Sequence, residues 1–177
     1  SLDSEADWVA AGELIFEMPI AFGTGRLLPS METSLFVRDA KWYADNAVPT
    51  TSEGVNPFFR YIIREPGKVE VGVLSCAMCH TRMMNDGTAV KGAQGNFPFG
   101  QMYAAQMLEQ GAIPDAVRWL ERNLFGAPWI LPDPQEGLSS MPLSELAAAH
   151  AAVPPGVLAR HRSSPQSPVV VPDLFGL

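Results

Sequence analysis

The sequence predicts a mainly α fold with long loops and one small β-hairpin. Three observations carry this. Apolar residues recur at helical spacing in capped segments near both ends of the chain. Sixteen prolines and fifteen glycines demand many turns and long connections. Pro57 to Ile63 is aromatic and β-branched, Lys68 to Leu74 alternates weakly around Val69, Val71 and Val73, and Pro66-Gly67 between them supplies a turn, which is the pattern of a small hairpin. The 177 residues suffice for one domain with decorations.

Taken in order, Ser4 to Met18 reads as the first helix, with Ser4 as cap and Asp7 in the capping-box position. Trp8, Ala11, Leu14 and Ile15 supply its apolar stripe, and Met18-Pro19 ends it. Ile20 to Pro57 reads as loop, with a helical turn or two around Ser34 to Asn46. Pro57 to Ile63 and Lys68 to Leu74 form the expected hairpin. Asp86-Gly87 is a second turn, followed by a short strand at Thr88 to Val90 and a loop from Gly92 to Gly100. Three helices follow: Gln101 to Glu109, Pro114 to Leu124, and Pro142 to Val153, with Ala127 to Ser140 as proline-rich loop. Pro154-Pro155-Gly156 closes the last helix, and the remainder reads as coil.

The net charge of −7 and the absence of any Lys/Arg run exclude nucleic acid and anionic membrane surfaces as expected partners. No apolar run is long enough to span a bilayer. A chain that begins at Ser1 rather than Met is expected to have lost a leader, and its apolar end at Leu177 suggests a break in a longer chain.

The chemistry-bearing motif is Cys76-Ala77-Met78-Cys79-His80. Two cysteines three apart lie on one side of a helical turn, so both thiols can bond the vinyl groups of one haem. The next residue then sits where its imidazole reaches the iron. This is the c-type attachment reading of C-x-x-C-H. Three alternatives fit less well. A thioredoxin-type pair normally follows a strand in an alternating α/β pattern. A zinc site needs four ligands at paired spacing, whereas the chain has two cysteines, with His150 and His161 far off in sequence. A disulfide closing so small a loop adds little stability.

The chain resembles class I cytochromes c at three places: Cys76 to His80, Gly12-Glu13-Leu14-Ile15-Phe16 in the first helix, and Met141-Pro142-Leu143-Ser144-Glu145-Leu146 before the last. The resemblance implies a cytochrome c-like helical haem domain over residues 1–177, with an extended insertion at about 19–74 and a coil tail at about 154–177. It implies that Gly12 allows close packing of the first helix on the last, that Phe16 covers the haem edge, and that Met141 is the axial methionine. Val69 to Pro98 and Val171-Pro172-Asp173-Leu174 also resemble, more weakly, dihaem peroxidase-like and oxygenase-like cytochromes. The last helix departs from the family pattern in lacking its usual aromatic residue.

Position alone leaves the sixth iron ligand open among Met141, His161, His150, Met102 and an empty site. Met141 stands between a loop and a proline-opened helix, where a side chain can be aimed freely. His150 and His161 read as surface or loop histidines. Met102 and Met107 read as core. The tryptophans Trp8, Trp42, Trp119 and Trp129 are expected in the core and haem-pocket walls, with Phe97, Phe99 and Tyr103 along the haem edge. Arg82 and Lys91 are candidates to pair with the haem propionates. The expectation is therefore one haem c with His80 on the iron, in a periplasmic or otherwise extracytoplasmic electron carrier. Its partners are redox proteins or a larger electron-transfer complex. The alternatives are a haem domain of a dihaem peroxidase or oxygenase, and a haem sensor.

Overall fold

A computed structural model describes residues 2–19, 21–23, 40–109, 119, 132, 134–158 and 168–175. Among these are six helices and seven short strands. The helices are α1 (Glu5–Glu17), α2 (Ala40–Asp45), α3 (Cys76–His80), α4 (Phe99–Glu109), α5 (Pro134–Ser140) and α6 (Leu143–Ala151). The strands are β1 (Ala21–Gly23), β2 (Arg60–Glu65), β3 (Lys68–Val73), β4 (Thr81–Met83), β5 (Ala89–Lys91), β6 (Val157–Leu158) and β7 (Val169–Val170). The expectation of a mainly α fold is thus corrected: helices account for 41% of the described residues, and three small antiparallel sheets are set between them. The physical reason is the proline and glycine content. It breaks the chain into segments too short for long helices but long enough to pair as ribbons.

Local chemistry sets the boundaries. Ser4 Oγ accepts from the Asp7 backbone N–H, and Asp7 returns the bond from the Ser4 N–H at 2.9 Å, a complete capping box for α1. The Ser4 hydroxyl, which donates to the Asp7 carboxylate at 2.8 Å, and then the Ser4 and Asp3 N–H groups hold that carboxyl below its ordinary range. The hairpin forms with β2 antiparallel to β3 across Pro66-Gly67, where Gly67 takes φ +79. β1 adds to the other side of β3, giving the order β1-β3-β2. β4 and β5 pair across Asp86-Gly87, whose turn is closed by the Thr88 N–H donating to Asp86 Oδ1 at 2.9 Å.

Two apolar clusters hold these pieces. The first joins Tyr43, Val48, Phe58, Phe59, Met78, Met83, Phe97 and Met102. Burial drives the Tyr43 phenol well above its ordinary pKa. The second joins Ala104 and Met107 of α4 to Leu138, Leu146 and Ala147. Here α4 lies against α6, with Gly100 at one end of the crossing. A Cβ at Gly100 would overlap the His150 carbonyl oxygen. His150 itself is 1% exposed and stacks edge-on to Tyr103, 4.6 Å between ring centres. The expected surface histidine is therefore an interior one, because α4 covers the face that the alanine-rich sequence left unassigned.

Several expectations need adjustment. Part of the supposed loop 127–140 is helical, as α5. The tail is not wholly coil, since β6 pairs with β7. Trp8 and Trp119 are largely exposed rather than core, whereas Trp42 packs on the first cluster. Of the helix expected at 114–124 only Trp119 is described, and it is helical. Trp129 and His161 lie outside the described residues. No helix among the described residues is long and apolar enough to cross a membrane.

Candidate haem-attachment site

The site begins with a strained residue. Leu74 takes φ +61 and turns the chain out of β3. Ser75 then caps α3, its Oγ accepting from the Met78 N–H at 3.2 Å. The single turn that follows carries Cys76, Cys79 and His80. Cys76 is exposed and Cys79 half-buried, and neither is in a disulfide. Ala77 and Met78 face the interior, and Met78 anchors the turn in the first cluster beside Phe97. The Met78 sulfur accepts from the Leu74 N–H at 3.4 Å, which occupies it locally.

A loop wraps the far end of α3 and satisfies its carbonyls. The Gly92 N–H donates to the His80 carbonyl at 2.7 Å, and the Gly95 N–H to the Cys79 carbonyl at 2.9 Å. The approach at Gly95 is so close that a Cβ there would overlap the Cys79 carbonyl. Asn96 adds both halves of an amide clamp: its Oδ1 accepts from the Met83 N–H and its Nδ2 donates to the Met83 carbonyl, at 2.9 and 2.8 Å.

The C-terminal strap completes the arrangement. Val171 N–H donates to the Gly156 carbonyl, Gln94 Nε2 donates to that same carbonyl, and Leu174 N–H donates to the Gly92 carbonyl. These bonds bring the Pro172 carbonyl to 3.0 Å from His80 Nδ1. A carbonyl can only accept, so Nδ1 carries the proton. In the neutral ring Nε2 then keeps its lone pair, which is the form of imidazole that binds a metal. Gly95, Asn96 and Pro172 were not assigned roles from the sequence. The weaker family resemblance touched Val171 to Leu174, but only the fold shows what that stretch does.

The other expected site residues are distributed as follows. Phe97 is buried, with Phe58, Phe59 and Phe99 at ring separations of 5.1, 5.3 and 4.7 Å. Phe16 is half-buried on α1, and α1 packs beside α3. Arg82 points outward from β4. Lys91 is not left to pair with a propionate. It is held by Glu13 and Glu17 of α1, the latter at 2.7 Å. Met102 belongs to the first cluster and Met141 packs against the second, so the structure does not group Met141 with Met78 and Phe97. Gly12 meets nothing within 4 Å, so the close packing of the first helix on the last that the resemblance implied for it is not seen there; the close approach to the last helix is made by Gly100 of α4.

Among the described residues, no three His, Cys, Asp or Glu side chains converge to hold a metal ion by themselves. A zinc site of the usual kind is therefore not built from those residues. Family models, curated proteins and solved structures give no match to this chain.

Proposed function

We propose that this chain is an electron-transfer protein carrying one c-type haem, bound through Cys76 and Cys79 with His80 on the iron. The observation that carries the reading is the hydrogen bond from His80 Nδ1 to the Pro172 carbonyl. A histidine in a C-x-x-C-H turn that is oriented by a backbone carbonyl, with Nε2 free, is prepared as a metal ligand. Two cysteine side chains on the same turn, neither of them in a disulfide, fit the same group. When bound, haem iron would supply one-electron chemistry.

The chain's own residues hold and tune. Cys76 and Cys79 fix the group covalently. Pro172 fixes the imidazole plane and makes it a stronger donor. Met141 is the proposed sixth ligand, on the strength of its place before a proline-opened helix. Attachment of this kind places the protein outside the cytoplasm, and its partners are redox proteins.

Co-expression with a c-type maturation system, then haem staining after denaturing electrophoresis, tests attachment. Cys76→Ser or Cys79→Ser should weaken the stain and the double variant should abolish it. Undiminished staining in the double variant overturns the proposal. Truncation before Val169 removes the Pro172 acceptor and should raise the reduction potential, because a less basic imidazole stabilises the ferric state less. Met141→Ala should lower the potential and open the iron to carbon monoxide. A high-spin ferric spectrum in the unaltered protein would instead point to a peroxide- or oxygen-handling haem domain.

A further inference from the structure

Helix α1 sits on the protein inside out. On the side of α1 toward the body, Glu17 is half-buried and pairs with Arg60 of β2 and Lys91 of β5, while Glu13, one turn earlier and 57% exposed, reaches the same Lys91. Trp8 and Ile15 share the opposite side of the helix and are 64% and 62% exposed. Leu14 and Met18 flank them and are exposed as well, and no residue of α1 is buried. A helix lying on a globular protein normally does the reverse, turning its apolar stripe inward. A contiguous apolar stripe left outward marks an interaction surface.

We propose that this face docks a partner protein that presents a basic rim around an apolar centre. The charge pattern selects this occupant. From Ser1 to Met18 the chain carries Asp3, Glu5, Asp7, Glu13 and Glu17 and neither Lys nor Arg. The charges of Glu13 and Glu17 are offset by Lys91 and Arg60, which leaves the exposed acids Asp3, Glu5 and Asp7, with no Lys or Arg among their neighbours in sequence, at the Trp8 end of the stripe. A second copy would bring the same acids against them, with a net charge of −7 on each chain. Anionic membrane would repel them too, whereas helices that lie in such interfaces carry Lys and Arg on their polar face. The surface stands on α1 alone, whether or not Cys76 and Cys79 hold a haem. If they do, the packing of α1 beside α3 puts the docked partner next to the redox group.

The test uses a labelled helical peptide with leucines on one face and lysines on the other, titrated into the full chain in haem-free and haem-loaded forms. Binding should weaken at least about tenfold in Trp8→Ser/Ile15→Ser. Ile63→Ser, which removes an equally exposed apolar residue from β2, should leave it unchanged. Asp3→Asn/Glu5→Gln should slow association and flatten its salt dependence. Circular dichroism should show these surface variants folded. No binding by the unaltered protein, or equal weakening by Ile63→Ser, overturns the proposal. So does a dimer in sedimentation that Trp8→Ser/Ile15→Ser dissolves, or flotation with phosphatidylserine vesicles. Binding confined to the haem-free form would show that the haem covers this face, and would overturn it as well.

Discussion

Helix α1 and the α4–α6 pair are held to the molecule by opposite means. The α4–α6 pair is joined by buried side chains, with Met107, Leu138, Leu146 and Ala147 filling the space between helices. Gly100 lets the two backbones approach. Helix α1 buries none of its residues and is tied down by an ion-pair cluster in which Glu17 meets Arg60 at 2.7 Å and Lys91 at 2.7 Å. Burial is close-packed and insensitive to salt, whereas partly exposed ion pairs are weak and screened. The same protein thus has a rigid seam and a helix whose attachment depends on solution conditions. That difference also shows why a glycine in a helix is not by itself a packing signal: Gly12 meets open space and Gly100 meets a carbonyl.

The comparison is tested most severely at the seam. Leu146→Ala should cost about 2–5 kcal/mol, read as a lower urea midpoint at unchanged slope, because it leaves a cavity in the second cluster. Leu14→Ala, at 72% exposure on α1, should stay within about 0.5 kcal/mol. Equal effects at the two positions would erase the distinction.

Alanine at the two glycines should move stability in opposite directions. Gly100→Ala forces a Cβ onto the His150 backbone and should destabilise by about 1–3 kcal/mol. Gly12→Ala has room and improves helix propensity, so it should stabilise by about 0.5–1 kcal/mol. Thermal unfolding of both variants beside the parent measures this directly.

The smallest effect belongs to the ion-pair cluster. Glu17→Gln should cost less than about 1 kcal/mol, and less still in high salt, since the groups involved are partly exposed. The hydrogen bond from Lys91, then that from Arg60, lowers the Glu17 carboxyl below its ordinary range. A depressed carboxyl contributes stability above its unfolded-state pKa and loses it as pH falls through the folded-state value. The protection of α1 amides against hydrogen exchange, taken relative to the intrinsic exchange rate at each pH, should therefore fall on acidification below the ordinary glutamate range, while α4 and α6 stay protected. Loss of protection in all three helices together would show that α1 is packed, not merely tethered.

What could be read from the sequence was local. Cys76, Cys79 and His80 lie on one turn because helical geometry fixes positions three and four apart. Ser4 and Asp7 form a capping box, and Pro66-Gly67 turns a hairpin, for reasons that need only neighbouring residues. What the tertiary structure decided was long-range. It set the Pro172 carbonyl against His80 at a separation of 92 residues and buried His150 under Tyr103. It also gave the helix crossing to Gly100 and turned the apolar face of α1 outward. Each of these depends on which distant segments close on one another. Loop closure is governed by the chain as a whole and by the fit of packed surfaces, and neither leaves a periodic mark in the sequence.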